Sequence, residues 1–289
     1  MEPIAVSFTS SGVRCAGTLV RPDGDAGPVA CVVMGPGGTL TRRDGLPAYA
    51  ERFAAAGLAS MTFDHRHWGD SAGEPRRWFS LSEQLEDWRA AVAHARTLTG
   101  VDPDRIVLWG MSVAGGHVLL TAADDRRVAA VVSIAPVADG VAFNMRPAPV
   151  GVQLRGMGRA VREVLTRRPV TVPVAGPPGT LAAIAAPEAP RGFEALTAGT
   201  DWRNQVNSSA ALAMFRYRPV RRAADIAAPV LLQVGDQDGM APAAPIEKVA
   251  ATAPHAQLVR YPMDHFGCFS AEHINRVAGD QIAFLSDHV

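Results

Sequence analysis

Ser112 stands in the segment Gly110-Met111-Ser112-Val113-Ala114-Gly115-Gly116, directly after the apolar run 106–109 and at the start of a helical pattern. A serine on a strand-to-helix turn is forced into strained dihedrals that project its hydroxyl. Small residues two before and two after it, here Gly110 and Ala114, let the turn close against a sheet. The helix start supplies unsatisfied N–H groups, that of Val113 first, beside the hydroxyl where negative charge develops in acyl transfer. The competing reading is a serine that only caps the helix.

A serine nucleophile needs a base, and the base needs an orienting carboxylate. After the apolar run 230–234 comes Gly235-Asp236-Gln237-Asp238-Gly239-Met240-Ala241-Pro242, an acidic turn with two candidates, Asp236 and Asp238. After Leu258-Val259-Arg260-Tyr261-Pro262 comes Met263-Asp264-His265-Phe266-Gly267. His265 follows Asp238 by 27 residues, enough for one helix and one strand between neighbouring sheet edges. It is the one histidine of eight at the end of a last strand; His94, His117, His255, His273 and His288 fall on helix faces, near termini or just ahead of a strand.

The elements that must hold these residues follow from pattern. Residues 6–20 alternate around Ser10-Ser11-Gly12, which predicts a hairpin. Runs 29–34, 59–63, 106–109, 128–134 and 230–234 read as short, mainly apolar segments, the pattern of strands buried on both faces. Helical patterns at 46–56, 80–99, 112–124, 242–253 and 271–289 lie between and after them. Strand and helix alternate, which predicts an α/β fold with a doubly wound, mostly parallel sheet. The alternation breaks once. Residues 137–225 carry a proline cluster from Pro169 to Pro190 that argues against regular helix there, flanked by helix-like patches at 151–165 and 208–215. An insertion of that length reads as a cap over the strand ends. Residues 1–136 and 226–289 are then the core domain, and 137–225 the cap.

Taken together these segments resemble the α/β-hydrolase superfamily over nearly the whole chain. The likeness is strongest to a bacterial branch with a cap inserted between core strands, which includes serine esterases, dienelactone-type hydrolases, peptidases, thioesterases and acyltransferases. The turn Gly235-x-x-Asp238-x-x-x-Pro242 resembles the family's acid turn, which implies Asp238 as the triad member and Asp236 as a turn residue. The loop Gly35-Pro36-Gly37-Gly38-Thr39 departs from the family's usual His-Gly by carrying Pro36-Gly37, but keeps a backbone amide at Gly38; the resemblance implies Gly38 and Val113 N–H as the oxyanion hole. Asp64-His65-Arg66-His67-Trp68-Gly69-Asp70-Ser71 resembles a recurring structural turn of the family. A metal held by His65, His67, Asp64 and Asp70 is the alternative, and Arg66 is a poor neighbour for a cation. Trp68, Trp78, Phe79, Trp202 and Phe215 are candidates to line a substrate pocket, with core packing as the alternative for each aromatic ring. Cys268 is expected to be a small buried residue.

The expected activity is a serine hydrolase that cleaves an ester, thioester or lactone through an acyl-enzyme on Ser112, His265 and Asp238, with no cofactor and no metal. Its alternatives are a biosynthetic acyltransferase, cyclase or thioesterase on the same residues, a peptidase, or a non-catalytic binding protein. Composition bounds the rest. At 289 residues one large core is feasible without staples. With 28 basic and 28 acidic residues there is no net field for a polyanion or an anionic membrane, so nucleic acid and membrane are not expected as partners. Three cysteines without a CxxC pair, and an N-terminus without a secretory pattern, point to a cytoplasmic protein acting on a small acyl substrate. A homodimer remains open.

Overall fold

The computed structural model describes residues 2–24, 27–145 and 148–289; positions 1, 25–26 and 146–147 of the expected core and cap lie outside the described residues. The chain opens with β1 (Ile4–Ser10) and β2 (Val13–Val20), whose register pairs Ser10 with Val13. The Ser11-Gly12 turn between them has φ of 45° and 81°, the left-handed geometry that matches strand twist in a two-residue hairpin. There follow β3 (Val29–Gly35), α1 (Leu46–Ala55), β4 (Ala59–Phe63), α2 (Leu81–Ala95), β5 (Val101–Met111), α3 (Val113–Asp124) and β6 (Val128–Ile134). All five residues of β4 are buried, Ser60 and Thr62 included, because the strand is covered on both faces. The start of α2 is fixed by Ser80, whose hydroxyl accepts the Glu83 N–H.

The insertion then intervenes: α4 (Gly140–Asn144), α5 (Val150–Thr166), the two-residue strands β7 (Thr171–Val172), β8 (Ala175–Gly176) and β9 (Ile184–Ala185), α6 (Ala189–Leu196), β10 (Val206–Asn207) and α7 (Ala210–Met214). A 3-10 turn, Pro219–Asp225, leads to β11 (Val230–Gly235), α8 (Ala243–Thr252), β12 (Ala256–Tyr261) and α9 (Ile274–Ser286).

Eight strands form one sheet in the order β1-β2-β4-β3-β5-β6-β11-β12. The β1–β2 and β2–β4 pairs are antiparallel and every other pair is parallel. From β3 the chain goes to β4 on one side and then returns to β5 on the other. This reversal opens a crevice at the carboxyl ends of β3 and β5, where ligands bind in open α/β sheets. The core beneath is filled by large side chains such as Trp88, Trp109, Tyr49 and Phe53, all fully buried. Trp109 donates to Gln281 on α9 at 3.0 Å, and Gln281 to Gln233 on β11 at 2.7 Å, which locks the last helix against the sheet.

The insertion holds a second apolar cluster, which includes Phe143, Val172, Phe193 and Met214 together with Val113 and Met240 from the core's loops. It therefore packs on the strand ends that carry the site. Two features differ from expectation. The proline-rich stretch includes a regular helix, α6, because Pro190 falls in its first turn, where a missing N–H costs nothing. The 3-10 turn at Pro219–Asp225 packs against α3 and α8, so the end of the insertion belongs with the flank of the sheet.

Candidate active site

Ser112 joins β5 to α3 with φ 59° and ψ −120°, a strained conformation that a non-glycine residue adopts only when its surroundings enforce it. The surroundings are visible. A Cβ on Gly110 would collide with the backbone of Ala114, so glycine lets the turn close. The Ser112 N–H donates to Ile134 O at 2.9 Å, and its carbonyl accepts from Val137 N–H at 2.9 Å and Gly116 N–H at 3.2 Å. Its hydroxyl makes no capping bond to α3, unlike that of Ser80 on α2. The N–H of Val113 points opposite to the Ser112 carbonyl, as in any trans peptide, and so out of the helix start.

The loop after β3 packs directly against this turn: a Cβ on Gly37 would lie 3.1 Å from Met111 O and 3.7 Å from Ser112 Cβ. Gly38 has φ 51°, a conformation that favours glycine. The Gly37 carbonyl accepts Leu40 N–H at 2.9 Å, and the Gly38 carbonyl accepts Gln84 Nε2 at 2.9 Å. A buried chain continues from there. Gln84 Oε1 lies 3.2 Å from His117 Nε2, and the Tyr217 hydroxyl lies 3.1 Å from His117 Nδ1 and 3.0 Å from Val113 O, the two acceptors for its one hydrogen. Burial, with the charge of His65, pushes the His117 pKa well below 6.5, although Asp87 opposes this. Burial pushes the Tyr217 hydroxyl well above its ordinary value. Sequence reading placed His117 on a helix face and gave Gln84 and Tyr217 no role; such long-range contacts leave no local signal.

At the other side of the crevice, His265 Nδ1 lies 2.7 Å from Asp238 Oδ2. The second oxygen, Oδ1, accepts the N–H groups of Met240 at 2.7 Å and Ala241 at 2.8 Å, so the acid turn fixes its own carboxylate. Burial alone would push the Asp238 carboxyl up, but His265 and these N–H groups outweigh it and hold it below 3.8. Asp236 is different: its side chain is 54% exposed and pairs with Arg260 at 3.1 Å, whereas that of Asp238 is 4% exposed.

Ser112, Val113, Gly38 and His265 line one cavity of about 1070 Å³, its mouth included. Its walls are mostly apolar, with Leu40, Phe79, Met111, Val172, Phe193 and Met214 prominent and the polar side chains of Asn144, Asn207 and Ser208 among them. Of the five aromatic candidates the structure brings only Phe79 to this wall. Trp202 stands behind it, stacked on Phe193 at 5.2 Å. Trp68 is buried, donates to Trp78 O at 3.0 Å, and with Trp202 lines a separate polar recess. Trp78 is outside both linings, and Phe215 is 45% exposed on the surface of the insertion. The residues that shape the wall come largely from the insertion, whose side-chain directions cannot be read from composition.

The turn with His65 and His67 is built from other partners. Asp64 and Asp70 both pair with Arg42, and Arg66 donates to Asp87 at 2.7 Å, with His65 3.4 Å from the same carboxylate. Among the described residues no group of three or more His, Cys, Asp or Glu side chains is placed to hold a metal ion, and no helix is long and apolar enough to cross a membrane. Cys268 is fully buried and its thiol is pushed up by that burial.

A twisted, mostly parallel sheet with an elbow serine at one strand end and a histidine–carboxylate pair at two others defines an α/β hydrolase, and the chain belongs to that family. Residues 28–264 match the family model described as serine aminopeptidase, S33. Over 289 aligned positions the chain is 42% identical to the quorum-quenching protein AidA of Acinetobacter baumannii, covering 98% of this chain and 94% of that protein. It is 32% identical over 156 residues to the polyketide transferase claH of Penicillium crustosum, covering 54% of this chain and half of that protein. The crystal structure of the alpha/beta hydrolase GrgF from Penicillium superposes over 100% of this chain and 99% of its own with a TM-score of 0.83 at 22% identity, a likeness of fold.

Proposed function

We propose that this chain is a serine hydrolase that cleaves an ester, thioester or lactone with an apolar acyl part through a covalent acyl-enzyme. One observation carries the reading: Ser112, at a strained elbow, shares an apolar cavity with His265, whose Nδ1 lies 2.7 Å from the Asp238 carboxylate.

In this mechanism Asp238 keeps the proton of His265 on Nδ1, leaving the Nε2 lone pair free to accept. As Ser112 Oγ bonds to the acyl carbon, its proton passes to Nε2, and the carbonyl electron pair moves onto oxygen, held by the N–H groups of Val113 and Gly38. Collapse breaks the bond to the leaving group, which takes the proton from Nε2. A water molecule then gives a proton to Nε2 as it attacks the acyl-enzyme, and the second collapse returns that proton to Ser112 and releases the acid. None of these steps calls on a cofactor. Turnover of p-nitrophenyl esters from acetate to decanoate by the wild type and by Ser112→Ala tests the reading; comparable rates in the two proteins contradict it.

The apolar walls favour one second reading, in which an alcohol, amine or internal nucleophile replaces water in the second half, and the name of the relative claH, a polyketide transferase, is consistent with it. Product analysis in ¹⁸O-labelled water separates the two, since only hydrolysis places the label in the acid. AidA carries the name of a quorum-quenching protein, which makes small molecules of bacterial quorum signalling the first natural substrates to assay.

A further inference from the structure

Nine large apolar side chains are exposed among the described residues, and eight of them belong to the insertion. Six lie on one helix, α5: Val150, Leu154, Met157, Val161, Val164 and Leu165, between 43% and 77% exposed. Their spacing of three or four residues places them within an arc of about 100° on an α-helix, a continuous apolar stripe. One flank of the helix faces the protein: Ala160 and Glu163 are buried, and Gly156 lines the cavity above Ser112. Monomeric proteins rarely leave a contiguous apolar stripe of this kind in water without a partner for it.

The charges of α5 say which partner. Arg155 and Arg162 lie on one flank of the stripe, Arg159 is turned away from it toward the carbonyl of Thr171, Arg167 and Arg168 follow at its end, and all five are exposed. Among the described residues none of the five enters an ion pair; Arg155 and Arg159 contact only the carbonyls of Gly151 and Thr171. The one acid on the helix, Glu163, is buried and accepts from Ser208 and Ser209. The helix therefore shows water a face of apolar and cationic groups with no anion. A second copy packed on this face would set arginine against arginine. An anionic bilayer surface complements it, since apolar side chains enter the headgroup boundary while arginines meet lipid phosphates.

We propose that α5 is an interfacial helix that docks the insertion on an anionic lipid surface. This departs from the expectation drawn from zero net charge, because the 28 positive and 28 negative residues are not evenly spread. Docking stands on α5 alone. That an acyl chain then enters the cavity from the bilayer, past a wall to which α5 contributes Gly156, rests on the proposed hydrolase activity as well.

The test is flotation of the full chain with extruded vesicles of phosphatidylcholine, with and without phosphatidylglycerol. Three proteins accompany the wild type: Leu154→Ser with Val161→Ser; Arg155→Gln, Arg159→Gln and Arg162→Gln combined; and Ser112→Ala. Unchanged thermal transitions show that the exposed substitutions leave the fold intact. The wild type and Ser112→Ala are expected to float equally with phosphatidylglycerol vesicles and to be released by salt. The apolar pair is expected to lose binding, and the arginine triple to bind on the order of 25-fold more weakly, about fivefold for each of Arg155 and Arg162. Failure of the wild type to float, or binding that neither surface variant weakens, overturns the proposal. So does a concentration-dependent dimer abolished by Leu154→Ser and Val161→Ser without vesicle binding, which would assign the stripe to a second copy. Flotation without ester turnover would leave docking in place and remove only the delivery of an acyl chain.

Discussion

The hydroxyl of Tyr217, from the segment that leads out of the insertion, lies 3.0 Å from the carbonyl of Val113, 104 residues earlier in the chain, and shares its one hydrogen between that oxygen and His117 Nδ1 at 3.1 Å. Through His117 and Gln84 the same buried chain reaches the carbonyl of Gly38. The two residues proposed to hold the oxyanion are thus clamped from behind by one hydrogen-bonded strut. Tyr217→Phe should lower stability by about 1–3 kcal/mol, because it leaves buried partners unsatisfied. It should also reduce kcat while KM changes little, since the clamp acts through Val113 and touches no substrate. Urea denaturation and p-nitrophenyl ester kinetics check both halves; a rise in KM at constant kcat would place Tyr217 in substrate binding instead.

Asp238 and Asp236 lie two residues apart in one turn, yet only Asp238 reaches His265. Asp238→Asn should reduce turnover on the order of 10⁴-fold, as an amide favours the wrong imidazole tautomer, while Asp236→Asn should change it little. Equal losses in steady-state assays would undo the assignment of the acid.

His117 gives a pH dependence of stability whose sign follows from its burial. Its folded pKa lies well below 6.5, so the native ring stays neutral where the unfolded chain takes up a proton. The stabilisation is complete above pH 6.5 and is lost on acidification, at up to about 1.4 kcal/mol per pH unit for one proton. His117→Gln should flatten the stability profile below pH 6.5 by that slope, while His94, also pushed down by burial, keeps its share in both proteins. Parallel profiles for the two proteins in denaturant titrations would contradict the buried neutral ring.

Met214 and Phe215 are neighbours in the chain with opposite surroundings: Met214 lines the cavity at 5% exposure and Phe215 is 45% exposed. Met214→Ala should shift the chain-length preference in kcat/KM by about 1–3 kcal/mol between substrates, and Phe215→Ala should not. A panel of p-nitrophenyl esters reads the difference. A shifted profile for Phe215→Ala would mean that substrate crosses the outer surface of the insertion.

The elements around the site were legible because each has a local cause. The unbroken apolar runs at 29–34 and 106–109 became β3 and the later part of β5, and the small residues around Ser112 became the elbow. The hairpin followed from Ser11-Gly12, and α2 starts at its serine cap. What pattern could not supply was orientation within the insertion. Trp68, Trp78, Trp202 and Phe215 were nominated by residue type, yet the wall is built from Phe79, Phe193, Met214 and small residues around Ala182. Those directions depend on how short helices and two-residue strands stack, which no period encodes. Gln84 and Tyr217 escaped notice for the same reason: their partners are 46 and 104 residues away.

The proposed chemistry stands or falls on an acyl-enzyme at Ser112. Intact-mass spectrometry after treatment with a fluorophosphonate probe tests it most directly, because the adduct reports a covalent bond without assuming a substrate. One adduct per wild-type chain is expected, mapped to Ser112 by peptide analysis, and none on Ser112→Ala under the same conditions. Labelling of Ser112→Ala at the wild-type rate, or an adduct mapped to another residue of the wild type, would contradict it.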